Sequence, residues 1–157
     1  GVSSADEAYS LGLFHDCGIP LMMMKYPGYL KVIEKGYQDS EKRVIDAEND
    51  VYKTDHSVLG YYTAKTWKLP DHIAEIISVH HCVNKIFDHD RKDRTPKKDL
   101  LLILKISEHI CASYRTLGAS SVDYEWERIK GHVLDYGGLV DDDILNMADE
   151  CKDAGIV

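Results

Sequence analysis

An all-α bundle is the fold class this sequence predicts, and three observations predict it. Apolar residues recur at helical spacing along nearly the whole chain. Turn signals are sparse, with 11 glycines and 4 prolines in 157 residues. No segment shows the apolar–polar alternation of a half-buried strand. The length suits one domain, and an apolar share of 44% beside 29% charged residues is enough for a proper core.

The elements follow in order. Ser3 or Ser4 caps a helix to about Phe14, with Ala5, Ala8, Tyr9 and Leu11 near one face. Gly18 and Pro20 are expected to break it. A short apolar helix then covers Leu21 to Tyr26, and Pro27 restarts the chain toward Tyr37. Asp39 or Ser40 caps a polar helix to about Tyr52, and Thr54 or Asp55 caps another, His56 to Lys68. Pro70 stands where a first-turn proline belongs and opens a helix to about His81. Residues 82–98 are crowded with interleaved charge, from Asp88 to Lys98, and read as a solvated loop. Lys97 to Leu117 is the strongest helix, apolar throughout Leu100 to Leu104 and ended by Gly118. Tyr124 to Tyr136 and Asp141 to Ala154 complete the set around Gly137-Gly138.

Charge and cysteine usage narrow the function classes. The net charge of −8 repels phosphate backbones and argues against nucleic acid as a partner. No uncharged apolar run approaches the roughly 20 residues of a membrane span; Cys17 to Met24 is about eight. No basic-then-apolar leader is visible, so the expected compartment is the cytoplasm, with no membrane partner. Cys17, Cys82, Cys111 and Cys151 form no C-x-x-C pair and read as reduced thiols.

The informative residues are histidines and carboxylates on apolar helix faces. His15-Asp16 ends the first helix and offers an imidazole and a carboxylate from adjacent positions. His56 shares a face with Gly60, Thr63 and Trp67, and Gly60 would let another helix approach closely. Ile73, Ile76, Ile77 and His80 share a face, so His80 points inward, with His81 about 100° round the helix. Glu108 stands on the face of Leu101, Leu104 and Cys111 in the most apolar helix. Buried imidazoles and carboxylates are costly unless paired or metal-bound. Imidazole with carboxylate suits a divalent ion such as iron, manganese or zinc. The candidate ligands are therefore His15, Asp16, His56, His80, His81 and Glu108.

These residues carry a resemblance. Leu11-Gly-Leu-Phe-His-Asp-Cys-Gly18 resembles the G-L-x-H-D-x-G signature of the HD superfamily of metal-dependent phosphohydrolases. Asp55-His-Ser-Val-Leu-Gly60, Thr66-Trp-Lys-Leu-Pro70 and Ile73 to His81, ending in His-His, resemble the HDOD (HD-related output domain) family in order and spacing. The motifs cover roughly residues 3–117. They imply an HDOD-like helical domain over 1–117 and a C-terminal helical extension, 118–157, packed on it. The resemblance implies a helical bundle with one or two metal ions that activate a water against a phosphoester. His15 and Asp16 match the defining pair. His56, His80 and His81 match ligands of the related HD-GYP phosphodiesterases, and Glu108 stands near the final acidic ligand.

The departures set the expected function. The superfamily has a ligand upstream of the His-Asp pair, and no histidine precedes His15, so the N-terminal part of the family domain is expected to lie outside this sequence. The lysine that contacts phosphate in HD-GYP enzymes is replaced by Ile19, and Cys82-Val-Asn stands where Gly-Tyr-Pro would be. Losing that cation removes transition-state charge stabilisation. The resemblance implies a bacterial signalling module with a remnant metal site and a protein partner, non-catalytic. The alternatives are a metal-dependent phosphohydrolase acting on a nucleotide or cyclic dinucleotide, and a purely structural interaction module.

Overall fold

The computed structural model describes residues 4–87 and 94–157, all of whose regular structure is helical. The helices are α1 (Ala5–Phe14), α2 (Gly18–Lys25), α3 (Tyr29–Gln38), α4 (Val44–Tyr52), α5 (His56–Thr66), α6 (Asp71–Val79), α7 (Val83–Phe87), α8 (Pro96–Cys111), α9 (Ser113–Gly118), α10 (Tyr124–Gly137) and α11 (Asp141–Asp153).

Local chemistry explains most boundaries. Ser4 caps α1 reciprocally: its Oγ accepts from Glu7 N at 3.2 Å, and the Glu7 carboxylate accepts from Ser4 N at 3.0 Å. Asp55 caps α5, accepting from Val58 N at 3.0 Å. Thr95 caps α8, with Pro96 in the first turn. Four boundaries differ from expectation. Gly18 and Pro20 open α2 instead of breaking the chain, because a first-turn proline loses no helical hydrogen bond. Asp39 closes α3 and does not cap α4; its Oδ1 accepts from Glu41 N and Lys42 N, each at 2.8 Å, and this turn delays α4 to Val44. The strongest predicted helix divides, since Ala112 takes a left-handed conformation (φ 55°) between α8 and α9. The expected loop contains α7, while its charged stretch 88–93 lies outside the described residues.

Two apolar clusters form the interior. The larger joins Ile73, Ile76 and Ile77 of α6, Leu100, Leu101 and Leu104 of α8, and Trp126, Ile129 and Val133 of α10. Residues on both sides of position 118 therefore share one core. The smaller joins Ile19, Met22, Tyr29, Ile33, Val44 and Ile45. Two glycines set the close approaches around α5. A Cβ on Gly18 would lie 1.9 Å from the His56 carbonyl oxygen, and one on Gly60 would lie 2.8 Å from Ile77 Cγ2. The four cysteines are free. No helix among the described residues is long and apolar enough to cross a membrane.

Candidate metal centre

Three helix ends converge. His15 caps the C-terminus of α1 and Asp16 follows it; His56 is the first residue of α5; His80 caps α6 and His81 follows. One ligand atom from each of Asp16, His56, His80 and His81 lies within 4.8 Å of the other three. Asp16 Oδ1 is 3.5 Å from both His56 Nε2 and His80 Nε2, and the Nε2 atoms of His56 and His81 are 3.0 Å apart. Four donors placed about 2.1 Å from a tetrahedral ion stand ~3.4 Å apart, so these separations suit one small cation.

Each ring is oriented from behind. His56 Nδ1 lies 2.7 Å from Glu48 Oε2, His81 Nδ1 2.7 Å from Glu125 Oε1, and His80 Nδ1 2.7 Å from the Ile77 carbonyl. Carboxylates and carbonyls only accept, so each Nδ1 carries a proton, and a ring that is neutral turns its Nε2 lone pair to the centre. Tyr29 donates to the other Glu48 oxygen. Burial lowers the affinity of His80 and His81 for a second proton, keeping those rings neutral. For His56, burial works the same way, but the Glu48 hydrogen bond and the charges of Asp16, Glu48 and Asp55 together outweigh it and raise the ring. Burial opposes ionisation of Asp16, yet His15 outweighs it and holds the carboxyl well below its usual range. Among the described residues, two buried side-chain atoms find no hydrogen-bond partner: Asp16 Oδ1 and His80 Nε2. Both face the centre, and an orphaned buried acceptor is costly. A divalent cation would satisfy both, so the residues fit one.

His15 and Glu108 stand beside this group and pair with each other, His15 Nε2 to Glu108 Oε1 at 3.2 Å. His15 also lies 3.3 Å from Asp16 Oδ2. Burial opposes charging His15, but Asp16 and Glu108 together push it up to about 11. Of the six residues singled out from sequence, the structure thus gathers four at one point and places two adjacent to it. Sequence reasoning missed Glu48, Glu125 and Lys105. Glu48 shares the buried face of Val44 and Ile45 on α4, a signal open to inspection. Lys105 interrupts the apolar run of α8 and is itself buried. Glu125 lies in the first turn of α10 and carries no signal in the sequence.

A helical bundle with a His-Asp pair meeting three downstream histidines defines an HD-type domain. Residues 1–83 match the family model of the HDOD domain. The match spans over half of the chain, and the chain belongs to the HDOD family, HD-related domains of regulatory type. The matched stretch ends at Val83, so Lys105, Glu108 and Glu125 lie beyond it. Comparison with curated proteins and with solved structures gives no match.

Proposed function

We propose that this chain is a regulatory module of bacterial signalling that keeps a divalent-metal centre and acts in the cytoplasm through protein contacts, without turnover. The observation that carries the metal reading is the pair of orphaned acceptors, Asp16 Oδ1 and His80 Nε2, amid imidazoles whose other nitrogens are all engaged. Asp16, His56, His80 and His81 would hold the ion. Iron, manganese and zinc suit this donor set, and such an ion supplies Lewis acidity when bound. Here the four ligands would tie the α1–α2 turn, α5 and α6 to one another.

Two observations favour regulation over catalysis. Ile19, at the position of the phosphate-contacting lysine, is buried in the smaller core cluster. The buried cation beside the centre, Lys105, is spent on Glu108 and Glu125 at 2.7 and 3.2 Å. Exposed Tyr9 and Leu13 of α1, with Tyr62 of α5 and Trp67 at its end, supply apolar surface suited to a protein partner. One observation favours the phosphohydrolase instead: the Asp16 side chain is 24% exposed although its Oδ1 is buried, so solvent reaches Asp16 on the side turned away from His56 and His80. Elemental analysis of protein purified without chelator or oxygen, beside a His80→Ala/His81→Ala control, tests the metal. A near-stoichiometric ion, lost in the control, is expected. Turnover of cyclic dinucleotides with added manganese or iron would replace the regulatory reading with the enzymatic one.

A further inference from the structure

An arc of charge runs beside the metal centre and is not used by it. Asp16 turns Oδ1 toward His56 and His80 but Oδ2 toward His15. His15 leads to Glu108, whose Oε2 lies 2.7 Å from Lys105 Nζ. Lys105 Nζ lies 3.2 Å from Glu125 Oε1, and that same oxygen meets His81 Nδ1 at 2.7 Å. The arc thus leaves from one ligand and returns to another. An imidazole, a shared aspartate and a glutamate would by composition make a second metal half-site.

Two features close that half-site. His15 Nδ1 lies 2.7 Å from the Gly12 carbonyl, and Nε2 faces two carboxylates. Both nitrogens therefore already face acceptors, so an ion here would have to displace the pairing of His15 with Glu108 and Asp16. Lys105 is buried along its whole length, and its ammonium sits on Glu108 Oε2 between two carboxylates. A buried ammonium persists only when paired. A further cation at Glu108 would face that ammonium across a few ångströms of poorly screening interior.

Resting on the metal reading above, we propose that this chain builds a centre for a single ion, in which Lys105 supplies as a fixed ammonium the positive charge a second metal would bring. The lysine lies on α8, outside the stretch matched to the family.

Manganese(II) is the probe. The full chain is stripped with chelator, reloaded with excess Mn(II) and desalted; bound metal per chain and the electron paramagnetic resonance spectrum are then read. The wild type should hold one ion with the six-line spectrum of isolated Mn(II). Lys105→Arg, which keeps the charge, should do the same. Lys105→Met should rise toward two ions with a spin-coupled spectrum. Glu108→Gln should keep its single ion, and His80→Ala/His81→Ala should lose it. Two ions in the wild type would overturn the inference and leave the metal reading standing. So would a single ion in folded Lys105→Met, or loss of the ion in Glu108→Gln. No ion in the wild type would remove the metal reading, and this inference with it. If Lys105→Met does not fold, the wild-type and Glu108→Gln measurements decide.

Discussion

The Nε2 atoms of His56 and His81 face each other across 3.0 Å, while carboxylates hold both Nδ1 atoms from behind, Glu48 and Glu125 each at 2.7 Å. With a proton held at each Nδ1, the two Nε2 atoms need a shared proton or a cation between them, and the Glu48 and Asp16 carboxylates favour a second proton on His56. Left bare, the facing nitrogens cost free energy in a buried site.

A bound ion should stabilise the chain. At a free concentration about 100 times its dissociation constant, a ligand of the folded state adds about 2.7 kcal/mol. The melting temperature should therefore rise on addition of Mn(II) or Zn(II) to chelator-stripped protein. His80→Ala should abolish the rise. A rise of equal size in that variant would show that the ion binds elsewhere.

Glu48 should matter to metal affinity without touching the ion. Its carboxylate fixes the tautomer and orientation of His56, and losing such a partner costs roughly 10–100-fold in affinity. Glu48→Gln should weaken binding by that factor in competition against a chromophoric chelator. Tyr29→Phe removes the hydrogen bond to the other Glu48 oxygen and should have a smaller effect in the same direction.

Acid should unfold the metal-free chain through Glu108. Burial opposes its ionisation, but Lys105 and His15 outweigh that and lower it from 4.5 to about 2. Its folded value is below its unfolded value, so the stabilisation is present above about pH 4.5 and lost as pH falls from 4.5 toward 2. The size is of order 3 kcal/mol. Urea midpoints measured across that range with chelator present should fall steeply in the wild type. They should fall less in Glu108→Gln.

Gly18→Ala should be severe for a steric reason. The added methyl would stand 1.9 Å from the backbone oxygen of His56, which cannot rotate away. The α2–α5 contact must then open, and His56 moves with it. A loss of at least about 3 kcal/mol, at the upper end of overpacking effects, is expected by urea unfolding. Gly12→Ala, where a Cβ meets nothing within 4 Å, is the matched control and should not destabilise.

Deleting residues 119–157 should destroy cooperative folding. The deletion removes Trp126, Ile129, Val133, Tyr136 and Ile144 from the larger core cluster. It also takes Glu125 away from Lys105 and His81. A truncated chain that melted in one sharp transition near the wild-type temperature would contradict this shared core.

The sequence by itself determined the all-helical class and most helix positions, and it offered His15, Asp16, His56, His80, His81 and Glu108 as candidate ligands. Those signals are local: apolar periodicity, caps, and short motifs within one helix end. Only the tertiary structure decided which donors meet. His56 and His81 are distant in sequence and come within 3.0 Å because Gly18 and Gly60 allow their neighbours close to α5. The break at Ala112 was not legible, since a left-handed alanine has no sequence mark and is held by the packing on either side. Neither were the carboxylates behind His56 and His81. Glu48 reaches His56 from α4 and Glu125 reaches His81 from α10, and nothing in either helix's own pattern says which imidazole it will face. Helix formation is settled within a few turns of chain, whereas the charge balance of a buried site depends on every element packed around it.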